Sequence, residues 1–91
     1  MKIEIVKNWE HFENLLMAGQ RDFFIALEGG ANSSKDISEV RTHAITGRVL
    51  GVEMFHNISD SWEYLTRKRC LEYLPLGQAF FCRVDDEARP E

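Results

Sequence analysis

Between Asp22 and Lys35 the chain reads DFFIALEGGANSSK: an apolar run, two glycines, a small polar cluster and one cation. Gly29, Gly30, Asn32, Ser33, Ser34 and Lys35 are the parts of an anion cradle. Glycines let successive N–H groups point inward, Asn32 and the serines supply donors, and Lys35 adds charge. The segment is not a P-loop, which needs glycine before the lysine and a hydroxyl after it, where Ser34 and Asp36 stand. Turn chemistry gives the favoured competing reading, a hairpin turn in which Asn32 and the serines bond their own backbone. A Ser34–Lys35 nucleophile pair is disfavoured, because neighbours on an extended strand point to opposite faces. Glu28, at the end of the apolar run, is the acid best placed for a pKa raised by partial burial.

Arg67-Lys68-Arg69 is the second chemical feature. Three cations at the start of a predicted helix face the positive end of its dipole and call for a partner. Glu63, Glu72, Asp85 or Asp86 would serve internally; a phosphate or carboxylate ligand at Arg67 is the functional alternative. The aromatic residues suggest another kind of surface. Phe55, Trp62 and Tyr64 form an interface for a protein partner or a second copy if they face solvent, and part of the core if they lie beneath the second helix. His11, His43, His56, Cys70 and Cys82 have no metal-ligand spacing, so neither metal nor cofactor is expected.

These residues need a scaffold, and 91 residues provide for one domain with one core. The composition, 44% hydrophobic and 29% charged, is globular. A net charge of −4 argues against nucleic-acid binding unless Arg41, Arg48, Arg67, Lys68 and Arg69 share one surface. No apolar run is long enough for a membrane helix, and no secretory segment opens the sequence, so the expected location is cytoplasmic, with both cysteines reduced and buried.

In MKIEIVK, Ile3 and Ile5 alternate with Lys2 and Glu4, predicting a strand with the isoleucines inward. Asn8 caps a helix carrying Trp9, Phe12, Leu15 and Leu16, with Glu10, His11, Glu13 and Asn14 on the wet face and Gly19 ending it. Phe23–Leu27 is a buried strand, and a parallel pairing of the first two strands is one option. Strands follow near 35–41, 48–56 with a bulge at Gly51, and 61–65. Thr66 then caps a helix over 67–74, with Cys70, Leu71 and Leu74 buried, and a strand over 79–84 precedes a frayed tail at 85–91. The predicted fold is α+β: a mainly antiparallel sheet of five to six strands with two helices, in the order βαββββαβ.

The run from Phe23 to Phe81 resembles a group of small uncharacterised bacterial proteins, of the type carried on mobile elements such as integron cassettes. The shared pattern is a strand followed by Gly29, Gly30, Ser33, Ser34, Lys35 and Ile37, then a strand-turn-strand leading into a helix at Thr66; residues 39–47 look like an insertion. The resemblance implies that the loop is one unit and implies no activity. The expectation is a non-enzymatic binding or protein-interaction module. The alternative is a small metabolite- or anion-binding domain or enzyme using Gly29–Lys35 with Glu28 and Arg67.

Overall fold

The computed structural model describes residues 2–85. Its elements are β1 (Lys2–Ile5), α1 (Trp9–Met17), β2 (Phe23–Ala26), β3 (Asn32–Ser34), β4 (Ile37–Thr42), β5 (Val49–His56), β6 (Ser61–Thr66), α2 (Arg67–Tyr73) and β7 (Phe80–Val84). The class is α+β with two helices and antiparallel pairing, as expected. Two features differ. Asn32–Ser34 is an additional strand, too short to carry a periodic signal, and the strands form two sheets, β1-β7-β2-β3 and β4-β5-β6.

The division occurs at Lys35-Asp36. Lys35 N donates to Phe23 O at 2.8 Å and Ile37 N to Arg21 O at 2.9 Å, extending the first sheet. Asp36 O accepts from Phe55 N at 2.9 Å, so the chain passes there to the second sheet. β1 and β2 are both antiparallel to β7, which lies between them; they run parallel without being neighbours.

Asn8 caps α1 by accepting from His11 N at 2.9 Å, and Thr66 caps α2 by accepting from Arg69 N at 3.3 Å. α1 sets Phe12 edge-on against Phe23 and Phe80 of the first sheet. α2 buries Cys70 in the same core cluster as Val52, Met54 and Leu65 of the second. Leu71, expected inside, is 47% exposed. Tyr73, partly buried, packs against the core instead.

The faces of β1 are also reversed. Glu4 lies opposite buried Cys82, hence on the core side, where its carboxylate is 3.4 Å from His11 Nε2. Ile3 lies on the outer side and is 58% exposed. Strand alternation predicts two faces without saying which is covered. The expected frayed tail falls outside the described residues except for Asp85, whose N–H donates to Gln20 Oε1 at 3.0 Å. No helix among the described residues is long and apolar enough to cross a membrane.

Candidate functional site: the outer face of the three-stranded sheet

Cross-strand partners share a face, so the register of β4-β5-β6 fixes what its outer surface displays. Arg41, Gly51 and Thr66 form one row, Glu39, Glu53 and Tyr64 the next, and Phe55 and Trp62 the third. Val40, Val52 and Leu65 take the opposite face, where α2 packs. Phe55, Trp62 and Tyr64 are therefore together on the side away from the helix.

Each row has a distinct geometry. Phe55 and Trp62 are tilted against one another with centroids 5.1 Å apart, and Trp62 keeps 49% of its surface exposed. Tyr64 leans across Gly51, where an added Cβ would lie 2.4 Å from its hydroxyl and 2.5 Å from Leu65 O. Gly51 is thus the bed for an aromatic ring, and the extra bulge residue is its neighbour Leu50. The Arg41 guanidinium stacks 4.4 Å above Tyr64. Between these aromatic groups two carboxylates, Glu39 and Glu53, sit directly opposite each other. Such like-charge pairs cost a few tenths to about 1 kcal/mol. Arg41, 3.3 Å from Glu39, and the Ser38 hydroxyl, which bonds Glu53, offset part of that cost.

The glycine-serine-lysine segment is built differently. Gly29 and Gly30 have φ of 83° and 86°, a turn that L side chains adopt with strain, and Leu27 N donates to Ala31 O at 2.7 Å across it. Glu28 and Asn32 are exposed, Ser34 is half-buried, and Ser33 and Lys35 point inward with 2% and 1% of their surfaces exposed. Lys35 Nζ donates to Ser33 Oγ, and the Ser33 hydroxyl donates to Asn57 Oδ1 at 2.9 Å. The lysine is therefore paired with the serine two residues back, on its own strand face, and not with Ser34. Burial lowers its pKa, and among the described residues no carboxylate bonds it.

A serine beside a low-pKa lysine is nucleophile chemistry, but a reacting atom must be reachable and this pair is sealed. The cradle reading meets the same obstacle: the cation expected to hold the anion is inside. The polar groups continue through Tyr73, whose ring lies 5.9 Å from Lys35 Nζ and whose hydroxyl is 3.0 Å from His56 Nδ1. Burial and the Lys35 charge lower the His56 pKa against the opposing pull of Glu63, 3.3 Å from Nε2.

Arg67 does not join this cluster; its guanidinium lies 5.8 Å over the Trp9 ring. Arg69 pairs with Glu72 at 3.6 Å and Arg41 belongs to the outer face, so those two cations serve separate neighbourhoods, whereas Arg48, 3.2 Å from Glu13, lines the same cleft as Arg67. Glu13, expected on the wet face, is buried and accepts from Val49 N at 2.8 Å. Burial pushes its pKa up, but the Val49 and Arg48 bonds and the charges of Arg48 and Arg67 outweigh that and hold it below the ordinary value. Its position was visible in the spacing, since Trp9, Phe12, Glu13 and Leu16 fill one apolar helix stripe.

Cys70 and Cys82 are free and buried, with thiol pKa values pushed up to about 11 and about 12, chiefly by burial. Among the described residues no group of three His, Cys, Asp or Glu side chains could hold a metal ion. Comparison of the chain with protein-family models, curated proteins and solved structures gave no match.

Proposed function

We propose that the protein is a non-enzymatic interaction module that docks a partner protein on the outer face of β4-β5-β6. The observation that carries this reading is the grouping of Phe55, Trp62 and Tyr64 with Arg41 on the side away from α2. Trp, Tyr and Arg dominate binding energy at protein interfaces, where rigid aromatic side chains bury much area for little lost freedom. The carboxylates of Glu39 and Glu53 between the aromatic rows select the partner's chemistry: an apolar anchor for the Phe55–Trp62 pair and a lysine or arginine for the acids.

A second copy fits less well. A two-fold axis at the centre of the face sets the middle row against itself, so Glu39 and Glu53 would meet their own counterparts. The metabolite or enzyme alternative built on Gly29–Lys35 is weaker because its cation is buried. We place the protein in a reducing compartment such as the cytoplasm on its two free, buried thiols. Its resemblance to small mobile-element proteins is compatible with a binding role and adds no chemistry.

The test is to pan the immobilised protein against a random-peptide library. Selected sequences are expected to combine a basic residue with an aromatic or aliphatic anchor and to weaken with Glu53→Gln. Selected sequences without that pattern, or none at all, contradict the reading, and self-association without peptide binding replaces it with the homodimer.

A further inference from the structure

We propose a second, separate site: the cleft between α1, the 43–48 turn and Arg67 binds a small organic anion, a carboxylate or phosphate ester with a short apolar body. The cleft holds about 210 Å³, and its walls include Trp9, His43, Thr46, Arg48, Leu50 and Arg67. Its described lining brings together two arginines, a histidine and a threonine. Trp9 is 7% exposed, and its Nε1–H is buried with no acceptor among the described residues. His43 Nδ1 accepts from Ile45 N at 3.1 Å and Thr46 N at 3.2 Å, which places the ring proton of the neutral imidazole on Nε2 as a further donor.

Thr46 Oγ1 accepts from Arg48 N at 3.2 Å and keeps its O–H to donate. Arg48 engages Glu13 through Nε at 3.2 Å and has no partner for its Nη groups among the described residues, and Arg67 lies over the Trp9 ring at 5.8 Å. Among the described residues the one carboxylate in the wall is Glu13, which is already committed to Val49 N and Arg48. Two guanidinium groups and the His43 ring thus border a space whose acid is already paired, with the buried Trp9 indole N–H behind its wall, and guanidinium forks match carboxylate and phosphate oxygens. Leu50 and the Trp9 ring supply apolar wall. The volume lies below the roughly 300–1,000 Å³ of drug-sized sites, which limits the ligand to a few heavy atoms beyond its anionic group.

The two tryptophans make the test internal, because Trp9 lines the cleft and Trp62 lies on the sheet face. The ¹⁵N-labelled protein is titrated with acetate, propionate, inorganic phosphate and glycerol 3-phosphate, against chloride at matched ionic strength. The Trp9 indole resonance is expected to move saturably with a carboxylate or a phosphate, the stronger series identifying the anion, while the Trp62 indole stays. Arg67→Ala, at an exposed position, weakens binding about tenfold or more, and Arg67→Lys weakens it less. An unmoved Trp9 resonance at about 10 mM anion, ten times a weak millimolar Kd, overturns the proposal. Equal movement in chloride, or binding unchanged by Arg67→Ala, does so as well.

Discussion

Under the Gly29–Lys35 hairpin the buried side chains include a serine and a lysine, whereas on the outer face of β4-β5-β6 a tryptophan is half in water. The two regions invert the usual placement of polar and aromatic groups in opposite directions. Ser33 and Lys35 have reactive chemistry and no access to a substrate; Phe55, Trp62 and Tyr64 have no reactive chemistry and lie where a partner can reach. Side-chain type nominates a residue for function, and accessibility decides. The polar cluster is therefore expected to act on stability, and the aromatic face on binding.

The contrast is broken most strongly at Gly51, where the face depends on backbone space. Gly51→Ala places a methyl against both the Tyr64 hydroxyl and the Leu65 carbonyl, and only the first can swing away. A loss of about 3 kcal/mol is expected, with Tyr64 displaced, measured by urea unfolding. An unchanged midpoint would mean that the Tyr64 ring does not rest on Gly51.

Lys35→Met sharpens the comparison from the buried side. It replaces a buried cation that has no carboxylate partner among the described residues by an apolar side chain of similar reach, and stability at pH 7 should rise by about 1–2 kcal/mol. The gain should depend on pH. Unfolded Lys35 titrates at its ordinary 10.5, and burial places the folded value lower. Between those two values the unfolded chain binds more protons, so the lysine's contribution improves as pH rises. The advantage of methionine is thus full below the folded value and shrinks as pH approaches 10.5. The buried thiols act oppositely: the unfolded forms ionise near 9.0, so native stability falls above that pH. Comparing wild type and variant at each pH isolates Lys35, and a constant difference across the alkaline range would contradict its buried cationic state.

Glu53→Gln gives the smallest effect. Removing one carboxylate from the middle row relieves repulsion with Glu39, so stability changes by less than about 1 kcal/mol. Association with the selected basic peptides should slow and lose salt dependence, which stopped-flow mixing at two ionic strengths measures.

Most elements could be read from the sequence because their signals are local. Asn8 and Thr66 announce helix starts by side-chain chemistry, and the helix stripe and strand alternation place the intervening elements within a few residues. What escaped was set by distant partners. Asn32–Ser34 is a strand because β2 lies beside it, and Glu4 faces inward because His11 receives it. Ser33 and Lys35 showed their common face through their i, i+2 spacing, yet only the packed interior shows that this face is closed. Phe55, Trp62 and Tyr64 were identifiable as a group, since their alternation puts Trp62 and Tyr64 on one side, while the choice between core and solvent depended on where α2 packs. The Trp9–Arg48–Arg67 cleft draws on three separated segments and had no local signature.

The most direct measurement is Trp62→Ala, followed by thermal melting and by affinity for the selected peptides. The variant loses an aromatic contact worth about 0.5–1.5 kcal/mol, so the midpoint should fall by no more than roughly 10 °C. Affinity should fall about thirtyfold or more, as for the central anchor of an interface. A midpoint lowered as far as by Phe12→Ala, a core truncation of about 3–5 kcal/mol, with peptide affinity intact, would mean that the aromatic face is structural and that the interface lies elsewhere.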